Sequence, residues 1–305
     1  MIVSSARRAA AAAALLFLLV PAGAPAATSL PSTAFPLQHV RVGSADLGYR
    51  VVGDAGRPPL VLVPGFAFAA AEWDPDLLGA LAAHRRLIVF DNRGMGNSTG
   101  DTGRLSIGRM AADVSGLIRK LGLGRVDVLG WSMGGYIAQV LAIQRPERVR
   151  RLILASADAG GPHAIEPTAA VVAALENQAK ILTVLFPTGK QAAGDAWEAR
   201  IGAQPDLTSA DFSTPGPVVQ AQITAAATDW YGRGDGTQPA LRRLRAKTLV
   251  AYGNRDVVVP PGNARIMWER LRRVTVRPFV GAGHAFLFQR PGIAGGVFDR
   301  FLTTG

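Results

Sequence analysis

The 305-residue chain contains no cysteine. That absence excludes disulfides, thiolate metal sites and a cysteine nucleophile at once. Histidine is scarce, with His39, His84, His163 and His284 the only four. No His/Asp/Glu cluster has metal-ligand spacing, and no phosphate-cradling loop occurs. Gly94-Met95-Gly96 is not a dinucleotide fingerprint. Neither a metal nor a cofactor is expected. Acidic residues are the minority, 22 Asp+Glu against 33 Lys+Arg, for a net charge of +11, and nearly all the basic residues are arginine. A basic balance can signal nucleic acid or an acidic surface. The clusters Arg242-Arg243-Leu244-Arg245 and Arg270-Leu271-Arg272-Arg273 lack interleaved aromatics on which bases could stack. They read as the solvated surface of predicted helices, and no nucleic-acid partner is expected. Long apolar runs are missing too. Ala9 to Val20 is 12 residues, too short to span a bilayer stably.

That short run has another reading. Arg7 and Arg8 precede it, Pro21 ends it, and Ala24-Pro25-Ala26 offers a small-x-small cleavage site. Residues 1–27 therefore read as a bacterial secretory signal peptide, and the expectation is a mature protein outside the cytoplasm, secreted or periplasmic, with no stable membrane span after signal removal; the alternative is an uncleaved membrane anchor. Apolar residues make up 49% of the full sequence, ample for a sizeable core.

From residue 37 onward strands and helices alternate. Strands are predicted at 37–42, 47–52, 59–63, 86–90, 151–155, 248–252 and 274–280, besides the run at Val126. Pro59 to Val63 is continuously apolar, as in a strand covered on both faces. Helices are predicted at 73–84, 107–121, 136–145 and 292–302. The rhythm breaks between 161 and 240, where no good strand occurs. Helical stretches are predicted there at 168–186, 192–201 and 218–231. This segment carries four basic and eight acidic residues, a net −4 against +15 for the rest. The expected organisation is a signal peptide at 1–27, a core in two parts at 28–160 and 241–305, and a helical insertion at 161–240. No internal repeat is visible.

The chain is organised around Val126 to Gly135, Val-Asp-Val-Leu-Gly-Trp-Ser-Met-Gly-Gly. A short apolar strand leads to Ser132, and a helix follows. Gly130 and Gly134 flank the serine at two residues on each side. A turn this tight strains the serine backbone and presses strand against helix, so side chains at those glycines would clash. The strain pushes the hydroxyl above the sheet. The Met133 N–H opens the helix and points to where negative charge would develop.

This Gly-x-Ser-x-Gly elbow, set between strand and helix, resembles the α/β-hydrolase fold family over most of the chain after about residue 37. The resemblance implies a mostly parallel central sheet flanked by helices, with the 161–240 insertion as a helical cap over the site. It implies a catalytic order of serine, acid, histidine, met here by Ser132, Asp256 and His284. Asp158, just after an earlier strand, is a rival for the acid. In the family a His-Gly-x loop supplies the second oxyanion N–H. Here the loop reads Pro64-Gly65-Phe66, which puts the donor on Phe66 and a proline where the histidine usually stands. Asp91 to Ser98, Asp-Asn-Arg-Gly-Met-Gly-Asn-Ser, resembles a family turn and reads as scaffold. A serine, rather than an aspartate, at the elbow argues against dehalogenase and epoxide-hydrolase chemistry. The expectation is a serine hydrolase acting on small, mostly apolar esters or lactones. The alternatives are a ligand-binding member with vestigial catalysis, or a related C–C hydrolase or perhydrolase. His163 at the insertion's start is a candidate substrate contact, while His39 and His84 read as structural.

Overall fold

A computed structural model describes residues 28–177, 179–231 and 236–304. The signal-peptide reading of 1–27 lies outside the described residues. Eight strands form one sheet: β1 (Gln38–Val42), β2 (Ala45–Val52), β3 (Pro59–Val63), β4 (Arg86–Phe90), β5 (Val126–Trp131), β6 (Val149–Ala155), β7 (Lys247–Gly253) and β8 (Val274–Phe279). Their order is β1-β2-β4-β3-β5-β6-β7-β8. β1 and β2 form an antiparallel hairpin whose two-residue turn uses Gly43 at φ +59°. From β4 to β8 every pairing is parallel.

The central strands are apolar on both faces because both are covered. Val61, Val63, Ile88, Phe90, Val126 and Val128 pack on one side with Met110, Val114, Ile137 and Leu141. Those last four come from α2 (Ile107–Lys120) and α3 (Met133–Gln144). Leu60, Leu62, Leu87, Val89 and Leu129 pack on the other side with Leu77, Leu81, Val297 and Phe301. The period of two along each strand thus feeds two cores. The second layer is built by α1 (Pro75–Ala82) and the closing helix described below. Asp74 starts α1 by accepting from the Asp76 and Leu77 N–H groups, with Pro75 in the first helical position.

Between β6 and β7 the described residues hold no strand. They hold α4 (Ala169–Leu175), α5 (Ile181–Leu185), α6 (Gln191–Gly202) and α7 (Gly216–Ala226), the last continuing as a π-helical turn, Ala227–Tyr231. The single helix expected over 168–186 is two short ones. Asn177 accepts from the Ala179 N–H at 3.0 Å and forms a local turn in competition with the helix. The two ends of the stretch differ in burial: Val172 is exposed, whereas Phe186 is fully buried. The chain closes with α8 (Gly262–Trp268), α9 (Phe286–Gln289) and α10 (Pro291–Thr303). No helix among the described residues is long and apolar enough to cross a membrane.

Candidate active site

Ser132 sits between β5 and α3 at φ 54°, ψ −125°. A side-chain-bearing residue held there stores about 1–3 kcal/mol of strain. Two backbone bonds hold it: Ser132 N–H donates to Ala155 O at 2.9 Å, and Gly135 N–H donates to Ser132 O at 2.7 Å. The flanking glycines are required by contact. A Cβ on Gly130 would lie 2.3 Å from Gly134 O, and one on Gly134 would lie 2.1 Å from Val63 O. Met133 is the first residue of α3, so its N–H has no carbonyl within the helix to donate to.

The loops after β7 and β8 bring Asp256 and His284 together. His284 Nδ1 lies 2.9 Å from Asp256 Oδ2, and both side chains are buried. Asp256 Oδ1 also accepts from the Val258 and Val259 N–H groups at 2.9 and 2.8 Å, which fixes the carboxylate's orientation. A Cβ on Gly253 would lie 2.2 Å from Gly283 O, so only glycine lets the two loops approach this closely. Trp131, the residue before Ser132, donates from Nε1 to His284 O at 3.2 Å and ties the elbow to the histidine loop.

Asp158 is placed elsewhere. Its carboxylate accepts from Trp230 Nε1 (2.7 Å), the Gly160 N–H (2.7 Å), Tyr136 OH (3.0 Å) and Tyr231 OH (2.5 Å). Burial pushes its pKa above the ordinary carboxylate value despite these donors. It joins α3 to the π-helical turn Ala227–Tyr231, and His284 is not among its hydrogen-bond partners. His163 is exposed, whereas His39 and His84 face Asp46 and Asp299.

The loop after β3 lies against the elbow, and a Cβ on Gly65 would meet the Trp131 ring at 3.0 Å. Phe66 is half-buried, and its N–H has no backbone acceptor among the described residues. Three side chains fasten the residues beyond it. Ala67 N–H donates to Gln222 Oε1 at 2.8 Å, Ala69 N–H to Glu72 Oε2 at 2.6 Å, and Ala70 N–H to Asp91 Oδ1 at 2.6 Å. Burial pushes Glu72 up to about 7 and Asp91 up to about 6. Phe68 anchors the same loop in an aromatic cluster with Trp73, Trp131, Trp197 and Phe288.

Glu72, Asp91 and Gln222 are the site-supporting residues that sequence reasoning missed. Asp91 stood in the turn read as scaffold, and it is scaffold for this loop: its Oδ2 accepts from Asn97 N–H at 2.9 Å. Gln222 sits in an alanine-rich helix with no pattern to mark it. Of the two arginine clusters, Arg242, Arg243, Arg245, Arg272 and Arg273 are exposed, and Arg242 and Arg243 end a 3-10 helix, Gln238–Arg243. Arg270 to Arg273 follow α8 rather than lying in it, and Arg242, Arg243, Arg245, Arg272 and Arg273 line one groove of about 680 Å3. This groove lies at the strands' N-terminal edge, opposite Ser132. Among the described residues no group of three or more His, Asp or Glu could hold a metal ion.

A parallel sheet with a strained serine after one strand and a histidine–carboxylate pair after two others defines a hydrolase-class enzyme. The model of the alpha/beta hydrolase fold family matches residues 58–291, and the chain belongs to that family. It is 29% identical over 264 residues to a protein of Azorhizobium caulinodans provisionally named carbamate hydrolase RutD, covering 84% of this chain and 95% of that one. It is 29% identical over 238 residues to the pimeloyl-[acyl-carrier protein] methyl ester esterase of Nitrosomonas europaea, covering 75% and 89%. An alpha/beta hydrolase fold protein from Chitinophaga pinensis superposes with a TM-score of 0.81 at 24% identity, over 90% of this chain and 99% of that one.

Proposed function

We propose that the protein is a serine hydrolase that cleaves small, mostly apolar carboxylic esters or lactones through an acyl-enzyme. The observation that carries this reading is the buried His284–Asp256 pair at 2.9 Å, tied through Trp131 to the strained Ser132. In this mechanism His284 takes the proton of Ser132 Oγ as the oxygen attacks the acyl carbon. Asp256 keeps the proton of the imidazole on Nδ1 and stabilises the charged ring that forms. The N–H groups of Phe66 and Met133 receive the oxyanion. His284 then gives its proton to the leaving alcohol, and a water repeats the sequence to release the acid. The helical insertion acts as a cap that sets acyl preference. A relative named as a methyl ester esterase supports ester chemistry.

Labelling with a fluorophosphonate probe, followed by mapping of the modified residue, tests the reading. Modification at Ser132 together with turnover of a chromogenic ester series is expected. An intact, folded protein that neither labels nor turns over would favour a binding protein with vestigial catalysis.

A further inference from the structure

The arginine-lined groove at the strands' N-terminal edge takes no part in the proposed reaction. Arg242, Arg243 and Arg245 reach it from the segment before β7, and Arg272 and Arg273 from the segment before β8. All five are exposed, and none forms an ion pair with a carboxylate among the described residues. Arg50, Arg93 and Arg200, by contrast, each hold a buried carboxylate. Five like charges around one hollow repel one another. The repulsion reaches into the fold: burial and then neighbouring guanidinium groups, Arg273 among them, push Arg151 below the ordinary arginine value. The carbonyl end of α3, at Gln144, lines the same groove. A helix end supplies only about half a negative charge, which leaves most of the five uncompensated.

A second groove of about 430 Å3 adjoins the first, and Gln144 lines both. Arg119, Arg145 and Arg148 line this extension, with Glu147 its one carboxylate. The cationic surface is therefore elongated as well as concave. A guanidinium presents a fork of N–H donors that matches phosphate oxygens. Buried Leu244 and half-buried Ile143 share the wall of the first groove, and apolar surroundings strengthen such contacts. Five guanidinium groups in one hollow match an anion whose charges are as closely spaced, as in a run of consecutive phosphates. No aromatic ring lines either groove, so nothing there would stack bases. An anionic bilayer is flat where this surface is hollow. We infer that the double groove binds a linear phosphate chain of the inorganic polyphosphate type. It faces away from Ser132, so the active site stays open while the chain is bound.

Titration calorimetry of the full protein with inorganic polyphosphate tests this. Binding is expected, weakening as salt rises because each contact releases counterions. Arg242→Gln/Arg243→Gln should weaken it about tenfold or more, the worth of one lost charge-assisted hydrogen bond. Arg272→Gln/Arg273→Gln, from the other segment, should do the same. Arg104→Gln/Lys190→Gln removes equal charge outside the groove and should change the affinity less than about twofold, short of the loss of one such bond. Absence of binding, or an equal loss in this control, overturns the site. Oligothymidylate and phosphatidylglycerol vesicles are titrated at matched phosphate concentration. Tighter binding of either would make the groove a nucleic-acid or membrane surface and overturn the polyphosphate assignment. Thermal melts separate a structural role: relieving repulsion should leave Tm of both groove pairs unchanged or raise it. A lowered Tm with polyphosphate affinity kept would make the arginines structural and refute the proposal. The site is independent of the serine-hydrolase reading, so Ser132→Ala should bind the chain as the native protein does.

Discussion

At the scale of residues the site is a set of close approaches that particular side chains would forbid. Gly130, Gly134, Gly253 and Gly283 stand where backbone meets backbone, and the Gly-x-Ser-x-Gly spacing announced the first two. Ser132→Ala should leave the fold intact and lower turnover by about 10⁶, by analogy with serine proteases. Near-native activity in folded protein would refute the assignment of the nucleophile. Both Asp256 and Asp158 follow strands, and the Gly-x-x-Asp turn at the end of β7 favoured Asp256. Hydrogen bonds separate them: one carboxylate faces His284 Nδ1, the other is occupied by four donors. Asp256→Asn should lose about 10⁴ in turnover at unchanged melting temperature. Asp158→Asn should do the reverse, since it removes the charge that four donors share and turns the bonds to the tyrosine hydroxyls around. A loss of about 2 kcal/mol, roughly 4–8 °C in Tm, is expected with most turnover kept. Turnover on one activated ester and a thermal melt of each variant distinguish the two roles.

At the scale of elements, strands and helices were legible wherever a covered face imposes a period, and illegible where a polar side chain overrides it. α2 was readable from its apolar stripe to within a residue. The break at Asn177 was not, because a single side-chain bond to Ala179 splits an apolar stretch that otherwise reads as continuous helix. The loop Pro64-Gly65-Phe66 resembled the family's donor loop, but the fastening of the residues after it by Glu72, Asp91 and Gln222 depends on residues distant in sequence or lacking a motif. Two of those fasteners titrate. Glu72 and Asp91 hold protons up to about 7 and about 6, whereas in the unfolded chain their ordinary values are 4.5 and 3.8. Between those limits the folded state binds more protons than the unfolded one, so stability falls as pH rises. Thermal melts should therefore show Tm rising from pH 8 to about 5.5. Glu72→Gln keeps an oxygen for the Ala69 N–H and removes the charge, so it should raise Tm at pH 8 and flatten the profile. A lower Tm at pH 8 would mean that the ionised carboxylate is the better fastener.

At the scale of the whole molecule, the order of apolar runs made the parallel sheet legible, and the charge shift at 161–240 fell within the stretch between β6 and β7, where the described residues hold helices and no strand. The insertion's attachments were not legible, because they pair residues far apart in sequence. Arg200 donates to Asp74 Oδ2 at 2.6 Å and Arg50 to Asp211 Oδ1 at 2.9 Å, so the acidic insertion is tied to the basic body in both directions. The N-terminus follows the same logic. From Thr28 the chain is fastened at once. A Cβ on Gly79 would lie 1.7 Å from Thr28 O, so α1 admits this segment only because residue 79 is glycine. Leu30 N–H donates to Pro75 O at 2.9 Å, Ser32 N–H to Gln204 Oε1 at 3.1 Å, and Arg50 Nη1 to Phe35 O at 2.7 Å. We propose that export removes residues 1–27, which would leave every one of these contacts in place. Protein recovered outside the cytoplasm should then begin near Ala27 or Thr28 by N-terminal sequencing, and a chain made from Thr28 should melt with the exported one. Cutting further, to Leu37, deletes at least these three hydrogen bonds, worth about 1 kcal/mol each, and Tm should fall by roughly 5–10 °C. Recovery of the protein in the cytoplasm with Met1 retained would refute export, and an unchanged Tm on cutting to Leu37 would refute the fastening.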